Sequence, residues 1–334
     1  MQKDIVVIGT SAGGIEALRA LAHALPRDFP GSILAVHHTS PDSPGVLAGI
    51  LSRSGALPAT CVTDTEIIRP GRIYVPAPDH HLIVQSGVAR ATRGPKENRF
   101  RPAVDPLFRS AAESYGPRVV GVILTGSLDD GTAGLFAVKK LGGTAIVQDP
   151  EDALFPSMPQ TALKHVRVDH CVPLAQIAPL LIRLSRESVE EKGVLKVPDR
   201  IRIEVDIAKE SNALEAGIMK LGEPSIYACP ECHGVLLKIT GEDEAQPRFR
   251  CHTGHAYSIE SLLSEMEDKT EQSLWNAVRA IEEHVLLLRH LAEHGAHSPE
   301  AAQELRERAE EMQQHGEIVR RAAIGHPSGE IPQN

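Results

Sequence analysis

Short, continuously apolar runs alternate with stretches of three-to-four spacing along the first half of the chain. Ile5-Val6-Val7-Ile8 leads into Gly9-Thr10-Ser11-Ala12-Gly13-Gly14, after which Ile15, Leu18, Leu21, Ala22 and Leu25 recur as one helical face that Pro26 and Pro30 end. Residues 32–36 form a second apolar run that meets His37-His38. Residues 119–124 form a third, which ends at Thr125-Gly126-Ser127-Leu128-Asp129-Asp130-Gly131. Leu135, Val138 and Leu141 mark the next helix, Gly142-Gly143 stop it, and residues 144–147 read as another strand. Strands that are apolar throughout and separated by helices belong to a parallel sheet covered on both faces. The pattern predicts an α/β fold, a doubly wound and mostly parallel sheet. Between the second and third of these runs, residues 72–76, 81–84 and 88–91 are short strand candidates separated by Pro, Asp and Ser-Gly turns, and they predict a small β-excursion.

The pattern changes near Arg186. Residues 186–196 are charged, and Ile201, Ile203, Val205 and Ile207 then alternate as a strand would, with a short helix as the alternative. Beyond residue 258 the spacing is helical: Leu274, Val278, Ile281, Val285 and Leu288 form a heptad seam. Ser298-Pro299 reads as the cap and first turn of a second helix with Leu305, Ala309 and Met312 on its apolar face, so a helical hairpin is expected. The resulting division is a catalytic-type domain over 1–185, a linker segment over 186–224, a compact module over 225–257, a helical hairpin over 258–324 and a disordered tail over 325–334.

Charge and composition narrow the function. There are 44 acidic against 35 basic residues and aromatics make up 3%, which speaks against a nucleic-acid binder and against a stacking surface for single strands. No apolar run approaches the ~18 residues that span a bilayer. The N-terminal run is too short for a signal peptide, so a cytoplasmic protein is expected. Cysteine is present five times, three of them clustered over residues 229–251 in the second half, and clustering of that kind points to metal before disulfide. Cys61 and Cys171 read as buried singletons.

Gly9-Thr10-Ser11-Ala12-Gly13 fits the Gly-x-Ser-x-Gly nucleophile elbow, placed between a strand and a helix as that motif requires. A dinucleotide or phosphate loop is the rival reading, although Ser11 stands where Gly-x-Gly-x-x-Gly needs glycine. His38 follows the second strand, and Asp129 and Asp130 follow a later one. All carboxyl ends of a parallel sheet lie on one edge, so topology gathers a serine, a histidine and an aspartate there. Their order, Ser–His–Asp, differs from the Ser–Asp–His of α/β-hydrolases.

These residues also carry a resemblance. Residues 9–17, Val36-His37-His38, Pro76-Ala77-Pro78-Asp79-His80-His81, Arg101-Pro102-Ala103-Val104-Asp105, residues 123–131 and Met158-Pro159 together resemble the catalytic domain of CheB-type chemotaxis protein-glutamate methylesterases, in order over about residues 4–184. The resemblance implies Ser11 as nucleophile, His38 as general base and Asp130 as third triad member. It also implies an oxyanion pocket near Ala12, Gly13 and Ser127, and a methylated chemoreceptor or similar signalling protein as substrate, with glutamine deamidation as a possible companion activity. No cofactor is implied for catalysis. Arg99 and Arg101 are candidates for positioning the substrate. The family's Gly-Met-Gly reads Gly126-Ser127-Leu128 here. Typical members carry an N-terminal receiver domain, and a chain whose resemblance starts at residue 4 is expected to lack that control in cis. An isolated 1–185 fragment is accordingly expected to be active.

Cys229-x-x-Cys232 and Cys251-His252-Thr253-Gly254-His255 are two knuckles flanking strand-like residues around the acidic turn at 241–244. That layout is a zinc ribbon, and a structural Zn²⁺ held by Cys229, Cys232, Cys251 and His255 is expected. His252 is the alternative fourth ligand, disfavoured because it adjoins Cys251. The main functional alternative is a non-catalytic signalling module that binds a partner in the same cleft, with the zinc-dependent region for docking.

Overall fold

The computed structural model of the protein describes residues 1–189, 196–209, 212–241 and 245–325. Most of the charged run at 186–196, most of the acidic turn at 241–244 and the tail from residue 326 lie outside the described residues.

The first half runs β1 (Ile5–Thr10), α1 (Gly14–Ala24), β2 (Ser32–His37), α2 (Leu47–Ser54), β3 (Ala59–Val62), β4 (Thr65–Ile67), β5 (Arg72–Pro76), β6 (His81–Gln85), β7 (Val88–Thr92) and α3 (Val104–Tyr115). It continues with β8 (Val119–Ile123), α4 (Thr132–Lys140), β9 (Thr144–Gln148), α5 (Ser157–His165), β10 (His170–Val172) and α6 (Leu174–Leu184). Seven strands make one sheet in the order β10-β9-β8-β1-β2-β5-β3, each neighbour pair parallel. Every residue of β1 is buried because both faces of the sheet are covered. Val7, Leu34 and Val36 pack with Leu107, Phe108, Leu135 and Val138 on one side. Val6, Ile8, Ile33 and Ala35 pack with Leu18, Leu21, Leu51 and Leu181 on the other. The chain leaves β1 in one direction to β2 and returns on its other flank as β8, so the strand order reverses at β1, where a crevice forms at the carboxyl edge.

The expected excursion is a separate three-stranded antiparallel sheet, β4-β7-β6. Of the three strand candidates assigned to it, residues 72–76 instead enter the main sheet as β5, between β2 and β3.

Within the expected linker segment the strand reading of Ile201, Ile203, Val205 and Ile207 is corrected: this stretch is helix α7 (Asp199–Ala208). Its buried face includes Ile201, Glu204, Val205 and Ala208, which is helical spacing. A glutamate on that face hides the period in the sequence. After α8 (Ala213–Ala216) come β11 (Glu223–Ala228), β12 (Val235–Ile239), β13 (Arg248–Cys251) and β14 (Ala256–Ser258), a four-stranded antiparallel sheet in chain order. All of this belongs to one compact unit, Met1–Ser261, and a second begins at Leu262.

The helices that close the chain are α9 (Ile259–His294) and α10 (Pro299–Ile324). Ser298 caps α10 by accepting a hydrogen bond from the Ala301 amide at 3.1 Å, and Val285, Leu288 and Ala309 pack between the helices as the spacing predicts. No helix among the described residues is long and apolar enough to cross a membrane.

Candidate active site and metal cluster

Strand register brings the three strand-end residues together. Thr10 pairs with His37, so Ser11 and His38 are the next residues out of adjacent strands. Gly9 pairs with Ile123 on the other flank, and the loop after β8 carries Asp130 to the same edge. The turn after Ser11 closes through a hydrogen bond from Gly14 N to Ser11 O at 2.9 Å, and Gly13 holds φ +72°, a left-handed conformation that costs glycine little. Gly126 lets the β8 loop approach: a Cβ there would lie 2.9 Å from Ser11 Cβ and 2.1 Å from the Met158 sulfur.

His38 lies between the other two. Its Nδ1 is 3.1 Å from Ser11 Oγ and its Nε2 is 2.7 Å from Asp130 Oδ2. With the ring proton on Nε2, donated to the carboxylate, the Nδ1 lone pair is left to accept the serine proton. The Phe100 ring stacks on the imidazole at 3.8 Å between centroids and 9° between planes.

Asp130 is fully ionisable despite its burial. Burial pushes its pKa up, but the His38 hydrogen bond and charge, the Val104 amide and Asn98 hold the carboxyl below its ordinary range. Val104 N donates to Oδ2 at 2.6 Å and Asp105 N to Oδ1 at 3.3 Å, which seats the carboxylate on the N-terminus of α3. Asn98 Nδ2 donates to Oδ1 at 2.9 Å.

The neighbouring acids take different states. Asp105 is pushed up to about 7 by burial and then by the Asp130 charge. Burial, with the charge of Glu260, holds Asp129 well above the ordinary range; Ser258 Oγ donates to it at 2.7 Å and Gln246 Nε2 also donates. Of the aspartate pair, then, Asp130 meets His38 and Asp129 faces the C-terminal sheet. Of the histidine pair, His37 is pushed down to about 4 by burial and then by His38, and its buried Nδ1 has no hydrogen-bond partner among the described residues.

Ser11, His38, Arg99 and Arg101 line an open cleft of about 570 Å³, together with Glu16 and Lys96. Ala12 and Gly13 also line it, at the head of α1 where backbone N–H groups precede the helix. The Ser11 amide is bonded to Thr125 O and the Gly126 amide to Phe155 O. Ser127 is exposed on the β8 loop and is not among the residues lining this cleft. Arg101 is committed to structure: Nε and Nη2 reach Asp79 Oδ1 at 2.8 and 2.7 Å, and Nη1 donates to Gly94 O at 2.9 Å. Arg99 is half-buried with φ +77°.

In the C-terminal sheet the donor atoms of Cys229, Cys232, Cys251 and His255 all lie within 4.8 Å of one another. A tetrahedron with Zn–S of about 2.3 Å and Zn–N of about 2.0 Å has edges of about 3.8 Å between sulfurs and about 3.5 Å between sulfur and nitrogen. The observed edges are 3.6 Å for Cys232 to Cys251, 3.7 Å for Cys229 to His255 Nδ1 and 3.6 Å for Cys251 to His255 Nδ1. The donor set therefore fits such an ion. The Thr253 hydroxyl contacts three of the four donors, at 2.9 Å from Cys251, 3.2 Å from Cys232 and 3.2 Å from His255. His252 is not in the cluster; its ring packs where a Gly234 Cβ would be, at 2.4 Å. The singleton reading of the other two cysteines needs correction, since Cys171 is exposed and Cys61 half-buried.

Two residues at the site escape the sequence reading, Asn98 and Phe100, and the place of Met158 beside Gly126 is a third feature it did not show. Met158 was singled out only within a motif. Asn98 and Phe100 lie in a polar loop without periodicity, two and four residues past Lys96, and only their nearness to Arg101-Pro102 hinted at them.

Residues 6–181 match the family model for CheB methylesterase. A putative protein-glutamate methylesterase/protein-glutamine glutaminase of Leptospira interrogans serogroup Icterohaemorrhagiae serovar copenhageni (strain Fiocruz L1-130) is 36% identical over 193 residues, 58% of this chain and 100% of that one. A protein-glutamate methylesterase/protein-glutamine glutaminase of Anaeromyxobacter dehalogenans (strain 2CP-C) is 38% identical over 183 residues, 55% of this chain and 54% of the relative, so the match spans about half that relative's length. The crystal structure of the Thermotoga maritima CheB methylesterase catalytic domain superposes with a TM-score of 0.53 at 36% identity, covering 55% of this chain and 100% of that one.

Proposed function

This chain belongs to the CheB methylesterase family, and from that premise we propose that it hydrolyses glutamate γ-methyl esters on a chemoreceptor-like protein and deamidates glutamine at equivalent positions. The observation that carries the reading is the series Ser11 Oγ, His38 and Asp130, with consecutive separations of 3.1 and 2.7 Å, in which Ser11 and His38 line an open cleft.

Ser11 Oγ attacks the ester carbonyl carbon while His38 Nδ1 takes the serine proton. Asp130 keeps the other ring proton on Nε2 and stabilises the imidazolium. Collapse of the tetrahedral intermediate breaks the C–O bond to methoxide, which takes the proton from Nδ1 and leaves as methanol. Water then attacks the acyl-enzyme, its proton passes to Nδ1, and Ser11 departs with that proton to free glutamate. With glutamine the first leaving group is ammonia. We assign the oxyanion to backbone N–H groups at Ala12 and Gly13, with Ser127 as the candidate on the facing loop; each such donor is worth about 2.7–4 kcal/mol. Arg99 and Arg101 both line the cleft and are the candidates for contacting the receptor, and Arg101 is also engaged with Asp79.

We also propose a structural Zn²⁺ at Cys229, Cys232, Cys251 and His255. Four protein donors leave no position for a reacting water, and the ion would supply folding free energy to a small sheet. Three cysteines given to a metal and two left as thiols suit the reducing cytoplasm, which is the proposed compartment.

A serine-directed fluorophosphonate tests the catalytic reading. Labelling of the wild-type chain and its loss in Ser11→Ala is the expected result. Equal labelling of both would remove Ser11 as nucleophile.

A further inference from the structure

We propose that Asn98 is a positioning residue for the Asp130 carboxylate, and that the C-terminal antiparallel sheet, with the first turn of α9, in turn fixes Asn98. The inference rests on the triad reading above and gives the sheet a part in the reaction that lies outside the matched family region, which ends at residue 181.

The Asn98 side chain is 5% exposed and uses its whole hydrogen-bonding capacity. Nδ2 donates to Asp130 Oδ1 at 2.9 Å and to Asp105 Oδ2 at 3.1 Å. Oδ1 accepts from Ser258 N at 3.0 Å and from Ser261 Oγ at 3.2 Å. The amide has one workable orientation, because a flip would set its oxygen against two carboxyl groups and its NH₂ against the Ser258 N–H.

The backbone around it depends on the same sheet. Asn98 holds φ of +48°, which asparagine tolerates well, and Arg99 holds φ of +77°, a conformation that a long side chain keeps only when its surroundings enforce it. Asn98 N donates to Ala256 O at 2.8 Å and Ala256 N to Lys96 O at 3.2 Å, so the loop is paired to β14. One residue before, Glu97 is clamped by Arg250 of β13 at 2.9 Å and by Arg109 of α3. Two residues after, Phe100 stacks on His38. The five-residue stretch from Lys96 to Phe100 thus ties β13 and β14 to both the acid and the base of the triad.

Nothing here makes Asn98 touch the substrate. Its effect would pass through the placement of Asp130, and misplacing a catalytic group by about 1 Å can cost on the order of 10²-fold in rate.

The test uses the full chain with a small soluble methyl ester. The wild type must first turn over and be labelled at Ser11; if it does neither, the esterase reading fails, and this proposal with it. With an active wild type, Asn98→Ala is expected to lower kcat on the order of 10²-fold while KM stays within about twofold, and to shift or abolish the far-downfield proton resonance of the His38 to Asp130 hydrogen bond. Ser261→Ala, which leaves the Ser258 backbone donor in place, is expected to lower kcat less, and to have no further effect in the Asn98→Ala background. Unchanged kcat and resonance in Asn98→Ala would overturn the proposal, as would a Ser261→Ala loss that persists in full without Asn98. If Asn98→Ala does not fold, Ser261→Ala alone decides: a lowered kcat with the shifted resonance supports the proposal, and wild-type values for both overturn it.

Discussion

Asp130 Oδ2 lies 2.7 Å from Nε2 of His38, leaving Nδ1 to face Ser11 at 3.1 Å. Chymotrypsin-type triads use the two ring nitrogens the other way round. Either nitrogen can serve as base, provided its partner carries the proton, and the carboxylate enforces that choice. The choice follows from topology. His38 is the first residue past β2, and Asp130 is pinned by the α3 amides.

Asp130→Asn follows directly from that geometry. An amide at this position can present its NH₂ to Nε2, which favours the tautomer with the proton on Nδ1 and no lone pair for Ser11. A drop in kcat on the order of 10⁴-fold is expected, the size of effect seen when a triad carboxylate becomes an amide. Steady-state turnover of a methyl ester, with circular dichroism to check the fold, measures it.

Asp105 predicts a pH dependence of stability. Its folded pKa is raised to about 7, against about 3.9 in an unfolded chain. Between these values the unfolded state has lost the proton that the folded state keeps, so this group's contribution is complete below about pH 4 and is lost as pH rises through about 7. Urea midpoints for the wild type and Asp105→Asn across that window should converge or cross as the wild-type contribution disappears. Parallel midpoint curves would contradict the assignment.

The cluster of Arg109, Arg248, Arg250, Glu97 and Glu204 is buried and joins the main sheet's helix α3 to α7 and β13. Arg248 grips Glu204 with both terminal nitrogens, at 2.9 and 2.8 Å. Glu204→Gln leaves three guanidiniums facing one carboxylate and is expected to cost about 3–5 kcal/mol, readable as a lowered urea midpoint. The same cluster changes the expectation for a chain cut at residue 185. Such a fragment would lose Glu204, Arg248 and Arg250 together and expose Glu97 and Arg109, so it is expected to be unstable.

Zinc content is the check on the second site. Protein purified without chelator should carry about one zinc per chain, and Cys229→Ser should lose it, with hydrogen exchange quickening first over residues ~225–257. A zinc-free wild type with unchanged exchange would rule the ion out.

What could be read from the sequence and what could not have a common physical cause. Ser11 and His38 were legible because apolar runs locate strand ends, and parallel strands send those ends to one edge. Cys229, Cys232, Cys251 and His255 were legible because ligand spacing is a local property. Glu204, Arg248 and Arg250 were not, since a charged residue in a helix or strand reads as solvent-facing until its partner is known. Asn98 was hidden for the same reason: its value lies in Ser258 and Asp130, 160 and 32 residues away in sequence. Glu204 also caused the misreading of α7, by interrupting its apolar face.

The most direct measurement is methanol release from a methylated chemoreceptor by the purified full chain, wild type against Ser11→Ala. The account predicts steady release with one new glutamate carboxylate per methanol for the wild type, and release at the uncatalysed rate for a variant that folds normally. Equal release by the two chains, or none by a wild type whose Ser11 reacts with fluorophosphonate, would contradict it.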